Sequence, residues 1–202
     1  MNDHSDVAPD KRTAVLDAAL SLFEERTFHG TAMPLVAERA GVGAGTIYRY
    51  FASKEVLVNE LFRFWKAEMA AVLAPAAAAG TAREGFDAYW SGLTEFALAH
   101  RSAFAFLETH RHQPYLDAES RAVAAAIDAE IEGFVRRNQR RGTLRRGDPA
   151  ELIALVLGAF VGLVRAAADG RVELTRRRLL AAAPHAWLLI APDPLPTPGA
   201  HP

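Results

Sequence analysis

In 202 residues the chain sets 23 Lys and Arg against 24 Asp and Glu, a formal net charge of −1, so any affinity for nucleic acid must come from local charge. Half of the residues are hydrophobic, which supplies ample core material and excludes a disordered chain. The absence of cysteine excludes disulfides, thiolate catalysis and zinc–thiolate sites.

The opening Met1-Asn2-Asp3-His4-Ser5-Asp6 lacks the basic-then-apolar order of a signal peptide, and residues 1–9 are expected to be disordered. Residues 10–28 carry Leu16, Ala19, Leu20 and Phe23 at helical spacing. A short second helix ends at Gly41, with Thr31 as its expected cap and Pro34 in its first turn. A short third helix follows the turn at Gly43, Ala44 and Gly45. Ser53 is expected to cap a fourth helix with Leu57, Leu61, Phe64 and Met69 on one face, broken over residues 75–80. Thr81-Ala82-Arg83-Glu84 is a capping box opening a fifth helix that runs to about His100. A sixth covers about residues 102–110. Val123, Ile127, Ile131 and Phe134 define a long seventh, stopped by Gly142. Asp148-Pro149-Ala150-Glu151 opens an eighth that reaches about Gly170. The ninth is expected over residues 174–190 with a kink at Pro184. The longest apolar run, residues 152–164 between Glu151 and Arg165, is too short to span a bilayer. The expectation is an all-α, cytoplasmic chain of about nine helices: a helix-turn-helix domain over 10–56, a larger helical bundle over 57–190, and a disordered proline-rich tail over 191–202.

The second and third helices make the most informative segment. Two short helices joined by a Gly-containing turn form a helix-turn-helix, whose second helix can enter the DNA major groove. Val36, Ala37, Ala40, Val42, Ile47 and Phe51 would clamp the pair, leaving Thr46, Tyr48, Arg49 and Tyr50 outward. Between Arg39 and Lys54 there is no acidic residue, the local bias that phosphates require.

Val36-Ala37, Ala40-Gly41-Val42, Gly45-Thr46-Ile47-Tyr48, Tyr50-Phe51, Ser53-Lys54 and Leu57 fall in one ungapped run that resembles the TetR family of bacterial transcriptional regulators. Ala18-Ala19 and Leu22-Phe23 upstream match that family's first helix, so the resemblance covers about residues 11–57. It implies a three-helix N-terminal head on a helical bundle. It implies that Tyr48, Tyr50 and Lys54 bind phosphate, that Ala44, Gly45, Thr46 and Arg49 approach bases, and that Thr31 and Gly43 belong to the same DNA-binding surface. Arg49 is the side chain here that can donate twice to a guanine edge. Three positions depart from the family's usual pattern: Ala44 replaces a long polar residue, Ala32 replaces a second hydroxyl, and Thr27 stands where Gly often ends the first helix in a left-handed cap.

Ala154, Gly158, Gly162 and Ala166 recur every fourth residue on the eighth helix. In the resembled family the last two helices pair with a second copy, so these residues, with Trp187, Leu179, Ala183 and Ile190 on the ninth helix, are the expected homodimer face; packing within one chain is the alternative. The family binds small, often hydrophobic effectors in its bundle. Here Phe86, Tyr89, Trp90, Phe104 and His110 are the candidate pocket, although ordinary core packing explains most aromatics. In Glu108-Thr109-His110-Arg111-His112 the two histidines point apart on a helix, so no metal site is expected. No serine sits in a nucleophile-elbow context, and Gly41, Gly43 and Gly45 have the wrong spacing for a dinucleotide loop; neither catalysis nor a cofactor is expected. The reading is a DNA-binding regulator, a homodimer on a palindromic operator released by a small hydrophobic effector. The alternative is a helical small-molecule-binding protein with a degenerate DNA-binding head.

Overall fold

The computed structural model describes residues 10–192, so the expected disordered N-terminus, 1–9, and residues 193–202 of the expected tail over 191–202 lie outside the described residues. The described residues are all-α: α1 Lys11–Arg26, α2 Met33–Arg39, α3 Ala44–Tyr50, α4 Lys54–Ala77, α5 Ala82–Ala99, α6 Arg101–His110, α7 Ala118–Arg140, α8 Pro149–Ala168 and α9 Arg176–Trp187. They divide into two compact units, one ending at Glu68 and taking in His100–Ala124, the other formed by Met69–Ala99 and the chain from Ala125 onward. This division differs from the sequence limits 10–56 and 57–190, because α6 and the segment after it pack with the N-terminal helices.

In the first unit α1 packs on α2 and α6, and α2 on α3. The buried face of α1 is Val15, Leu16, Ala18, Ala19, Leu22 and Phe23, the helical stripe expected of it. Phe23 stacks on Phe106 of α6 at 6.1 Å between ring centres. Thr31 does not cap α2, whose N-cap is Ala32 with Pro34 in the first turn. Instead the Thr31 hydroxyl is buried and close to the Leu22 and Thr27 carbonyls, at 3.1 and 2.8 Å. A hydroxyl held by the α1–α2 turn is withdrawn from the helix end behind it. Ser53 takes the capping role at α4, accepting from the Val56 amide at 3.3 Å.

In the second unit α9 packs on α5 and α8. Trp90 of α5 is 1% exposed and donates its indole N–H to the Leu179 carbonyl at 2.8 Å. α5 also comes close to two neighbours through glycine: a Cβ on Gly85 would run into the Phe134 ring, and one on Gly92 would lie 2.7 Å from the Val72 carbonyl. The capping box forms in both directions, with Thr81 N–H on Glu84 at 3.1 Å and Glu84 N–H on Thr81 at 3.2 Å. α4 ends at Ala77, inside the stretch 75–80 expected to break it, with Pro75 still within its last turn. α9 is shorter than expected because Thr175 caps it, accepting from the Arg178 amide; Pro184 lies inside the helix.

Candidate nucleic-acid interface and ligand cavity

The turn between α2 and α3 is set by backbone chemistry. Gly41 adopts φ 67°, Val42 N–H reaches the Ala37 carbonyl at 2.9 Å and Gly41 N–H reaches Glu38 at 3.1 Å. These paired bonds satisfy the last carbonyls of α2 and need a left-handed residue, which glycine supplies without strain. The chain then re-enters helix at Ala44 behind an extended Gly43. Ile47 is fully buried and Phe51 follows it inward, so α3 is fastened by that face and presents the other.

On the presented face Gly43, Ala44, Gly45, Tyr48, Arg49 and Tyr50 are exposed, and Thr46 is half-buried. Tyr48 is 50% and Tyr50 37% exposed, high for aromatic side chains with no partner ring. Among the described residues beyond its own helix turn, nothing lies within 4 Å of a Cβ placed on Gly45, so its smallness serves no packing among them. Among the described residues Arg49 has no ion pair.

The other two basic residues of this segment belong to the framework. Arg39 is bound twice by Glu25 at 2.9 and 3.0 Å, and that hydrogen bond holds the Glu25 carboxyl below its usual range. Lys54 donates to the carbonyls of Phe28 and Thr31 at 2.8 and 2.9 Å and lies 4.3 Å above the Phe28 ring. The ammonium thus clips the α1–α2 turn to the start of α4 and keeps one of its three protons for another acceptor. Thr31, also expected on the DNA-binding surface, is turned inward as described. No local pattern announces these partners, since Arg39 and Glu25 are far apart in sequence and Lys54 meets main-chain oxygens.

The aromatics expected to form one pocket are split between the units. Phe104 and His110 are buried in the first, where His110 Nδ1 lies 2.6 Å from the Tyr115 hydroxyl. Burial brings His110 down to about 4 and pushes Tyr115 up to about 12. The second unit contains a cavity of about 80 Å³, lined by Phe86 and Tyr89 but not by Trp90, whose ring packs edge-on to Phe160 at 5.2 Å. Its remaining walls are Ala70, Leu73, Ala74, Ala76 and Ala77 of α4, Gly85 of α5, and Ile127, Glu130, Ile131, Phe134 and Val135 of α7, closed by Leu144, Leu152, Ile153, Val156 and Ile190. The α7 residues are the stripe legible in sequence; that they enclose space rather than a filled core is not written in their spacing.

On α8, Ala154, Gly158 and Gly162 are exposed and Ala166 is half-buried, and among the described residues beyond the helix's own backbone nothing lies within 4 Å of a Cβ on either glycine. Leu155 beside them is 52% exposed. Of the residues expected on the α9 face, Leu179, Ala183 and Ile190 are buried within the chain, and half-buried Trp187 packs on Phe86 at 5.3 Å and under Arg83. The face that α9 leaves open is Ala181, Pro184, His185 and Leu188. Taken as a whole, Pro149–Ala168 is long and apolar enough to cross a bilayer by length and composition, with a mean hydropathy of 2.0. Among the described residues no three His, Asp or Glu side chains group to hold a metal.

Comparison with known proteins covers most of the chain. The family model for bacterial regulatory proteins, tetR family, matches residues 15–61, and that for the tetracyclin repressor-like C-terminal domain matches residues 68–188. The HTH-type transcriptional regulator YhgD of Bacillus subtilis is 26% identical over 174 residues, 77% of this chain and 83% of that protein. The HTH-type transcriptional repressor KstR of Rhodococcus jostii is 43% identical over 60 residues, 29% of this chain and 28% of its own. The structure of a TetR family transcription regulator from Marinobacter aquaeolei VT8 shares the fold with a TM-score of 0.81 at 23% identity, covering 90% of this chain and 96% of that one.

Proposed function

The chain belongs to the TetR family of bacterial regulatory proteins, a DNA-binding transcriptional regulator and not an enzyme, and from that premise we infer that it is a homodimeric, cytoplasmic repressor released by a small apolar ligand. The observation that carries the DNA-binding part is the face of α3: Tyr48, Arg49 and Tyr50 stand exposed on a helix anchored by buried Ile47. Tyrosine hydroxyls suit phosphate oxygens and the guanidinium suits a guanine edge. Small residues at Gly43, Ala44 and Gly45 let main chain come close to the duplex. With Arg39 and Lys54 committed to internal partners, base reading rests on Arg49.

Dimerisation is supported by the open faces of α8 and α9. An apolar stripe with two glycines and no neighbour among the described residues is suited to the close approach of another helix. A second copy accounts for the hydropathy of α8 without a membrane. A two-fold dimer presents two copies of α3 and favours a palindromic operator with half-sites about one helical turn, or a multiple of it, apart.

Effector binding is supported by the cavity. α4 carries Lys54 at its first residue and Leu73 and Ala74 in the cavity wall, so one helix takes part in both a ligand site and the brace of the DNA-binding head. A ligand preferring one position of α4 shifts operator affinity, and operator DNA weakens that ligand by the same factor. Footprinting on the DNA upstream of the protein's own coding sequence tests this reading. It predicts a protected two-fold symmetric site, lost when an apolar ligand that raises the melting temperature is added. Ligands that stabilise the protein and leave the footprint unchanged would contradict the coupling.

A further inference from the structure

The cavity has a direction. Its inner walls are hydrocarbon: Leu73, Phe86, Val135, Leu144, Leu152 and Val156 are all buried. Of its lining residues, those exposed to solvent are Ala74, Ala77 and Glu130, which therefore mark the mouth. Glu130 is the one ionisable carboxylate in that lining, and among the described residues it forms no ion pair or hydrogen bond. Arg137, further along α7, folds its guanidinium back over Gly133 and is not part of the lining.

Resting on the reading of this cavity as the effector site, we propose that its ligand is a cationic amphiphile: an apolar body enters between α4, α5, α7 and α8, and a protonated amine stays at the mouth beside Glu130. The hydrocarbon interior accepts any apolar body of suitable size and gives no preference among head groups. The head group is selected at the mouth, where the apolar wall excludes part of the water and strengthens the attraction between ammonium and carboxylate. A carboxylate head entering the same way faces a like charge, and turned inward it is stripped of water with no partner.

The test uses three probes of one chain length, octylamine, octan-1-ol and octanoate, titrated calorimetrically into the full-length protein and into Glu130→Gln at neutral pH. The expected result is octylamine binding about three- to tenfold more tightly than octan-1-ol, with octanoate weakest. Glu130→Gln should bring the amine to the level of the alcohol and leave the alcohol unchanged. Equal affinities for amine and alcohol, unaltered by Glu130→Gln, would overturn the head-group assignment while leaving the cavity as a ligand site. Octanoate binding most tightly, with the advantage lost in Arg137→Gln, would overturn it in favour of an anionic head. If none of the three binds, the effector reading of the cavity falls and this assignment falls with it.

Discussion

Thr27 ends α1 at φ 61° and ψ 173°, and among the described residues no other non-glycine side chain sits at positive φ. That region is nearly reserved for glycine, and holding threonine there costs on the order of 1–3 kcal/mol. Its side chain is exposed, so Thr27→Gly removes strain without removing packing. The variant should be more stable by about 1 kcal/mol in a denaturant titration, the larger backbone entropy of unfolded glycine offsetting part of the relief. Lys54 and Arg49 separate on the same kind of measurement. Lys54→Ala leaves the Phe28 and Thr31 carbonyls without their charged donor and should lower stability by about 2 kcal/mol. Arg49→Ala should leave the melting temperature unchanged and weaken a cognate duplex by about 1–3 kcal/mol. His110 gives the fold a pH dependence of known sign. Its folded value of about 4 lies below the ordinary 6.5, so between these the unfolded chain binds more protons. Stability contributed by the neutral imidazole is present above pH 6.5 and is lost as pH falls toward 4, by up to about 3 kcal/mol. Denaturation of wild type and His110→Gln across that range should show a shallower slope in the variant.

At the scale of elements, glycine has two opposite uses. Gly85 is filled from outside by Phe134, so Gly85→Ala should destabilise the second unit and lower the unfolding midpoint. Gly158 and Gly162 face open space in the chain, so Gly158→Leu and Gly162→Leu should leave a folded monomer, with normal helicity by circular dichroism and half the mass in sedimentation. Loss of folding in either variant, or an unchanged dimer, would contradict the interface. Helix starts were legible in sequence because their chemistry is local: Thr81 with Glu84, Asp148 before Pro149, and Ser53 before Lys54 each act within one turn. Helix ends were legible at Gly41, Gly142 and Gly170 for the same reason, each at φ between 67° and 70°. Thr31 was misread as a cap because its hydroxyl finds main-chain partners in the preceding turn and helix. Those carbonyls lie nine and four residues back, whereas the break expected over 75–80 is local and α4 does end there, at Ala77.

For the whole molecule, a net charge of −1 leaves no general attraction to nucleic acid, and two of the three bases near α3 are committed internally. The α3 face was readable because a short anchored helix has few ways to point its side chains. The pocket was not, because α5 and α6 adjoin in sequence but pack in different units, which parts Phe86 and Tyr89 from Phe104 and His110. The most direct measurement is selection of duplexes from a random pool by wild type and Arg49→Ala, with affinities followed against salt. The account predicts a palindromic consensus for the wild type, affinity falling steeply as salt rises, and base preference relaxed at one position of each half-site in the variant. No enriched sequence, or the same consensus and affinity from both proteins, would contradict it.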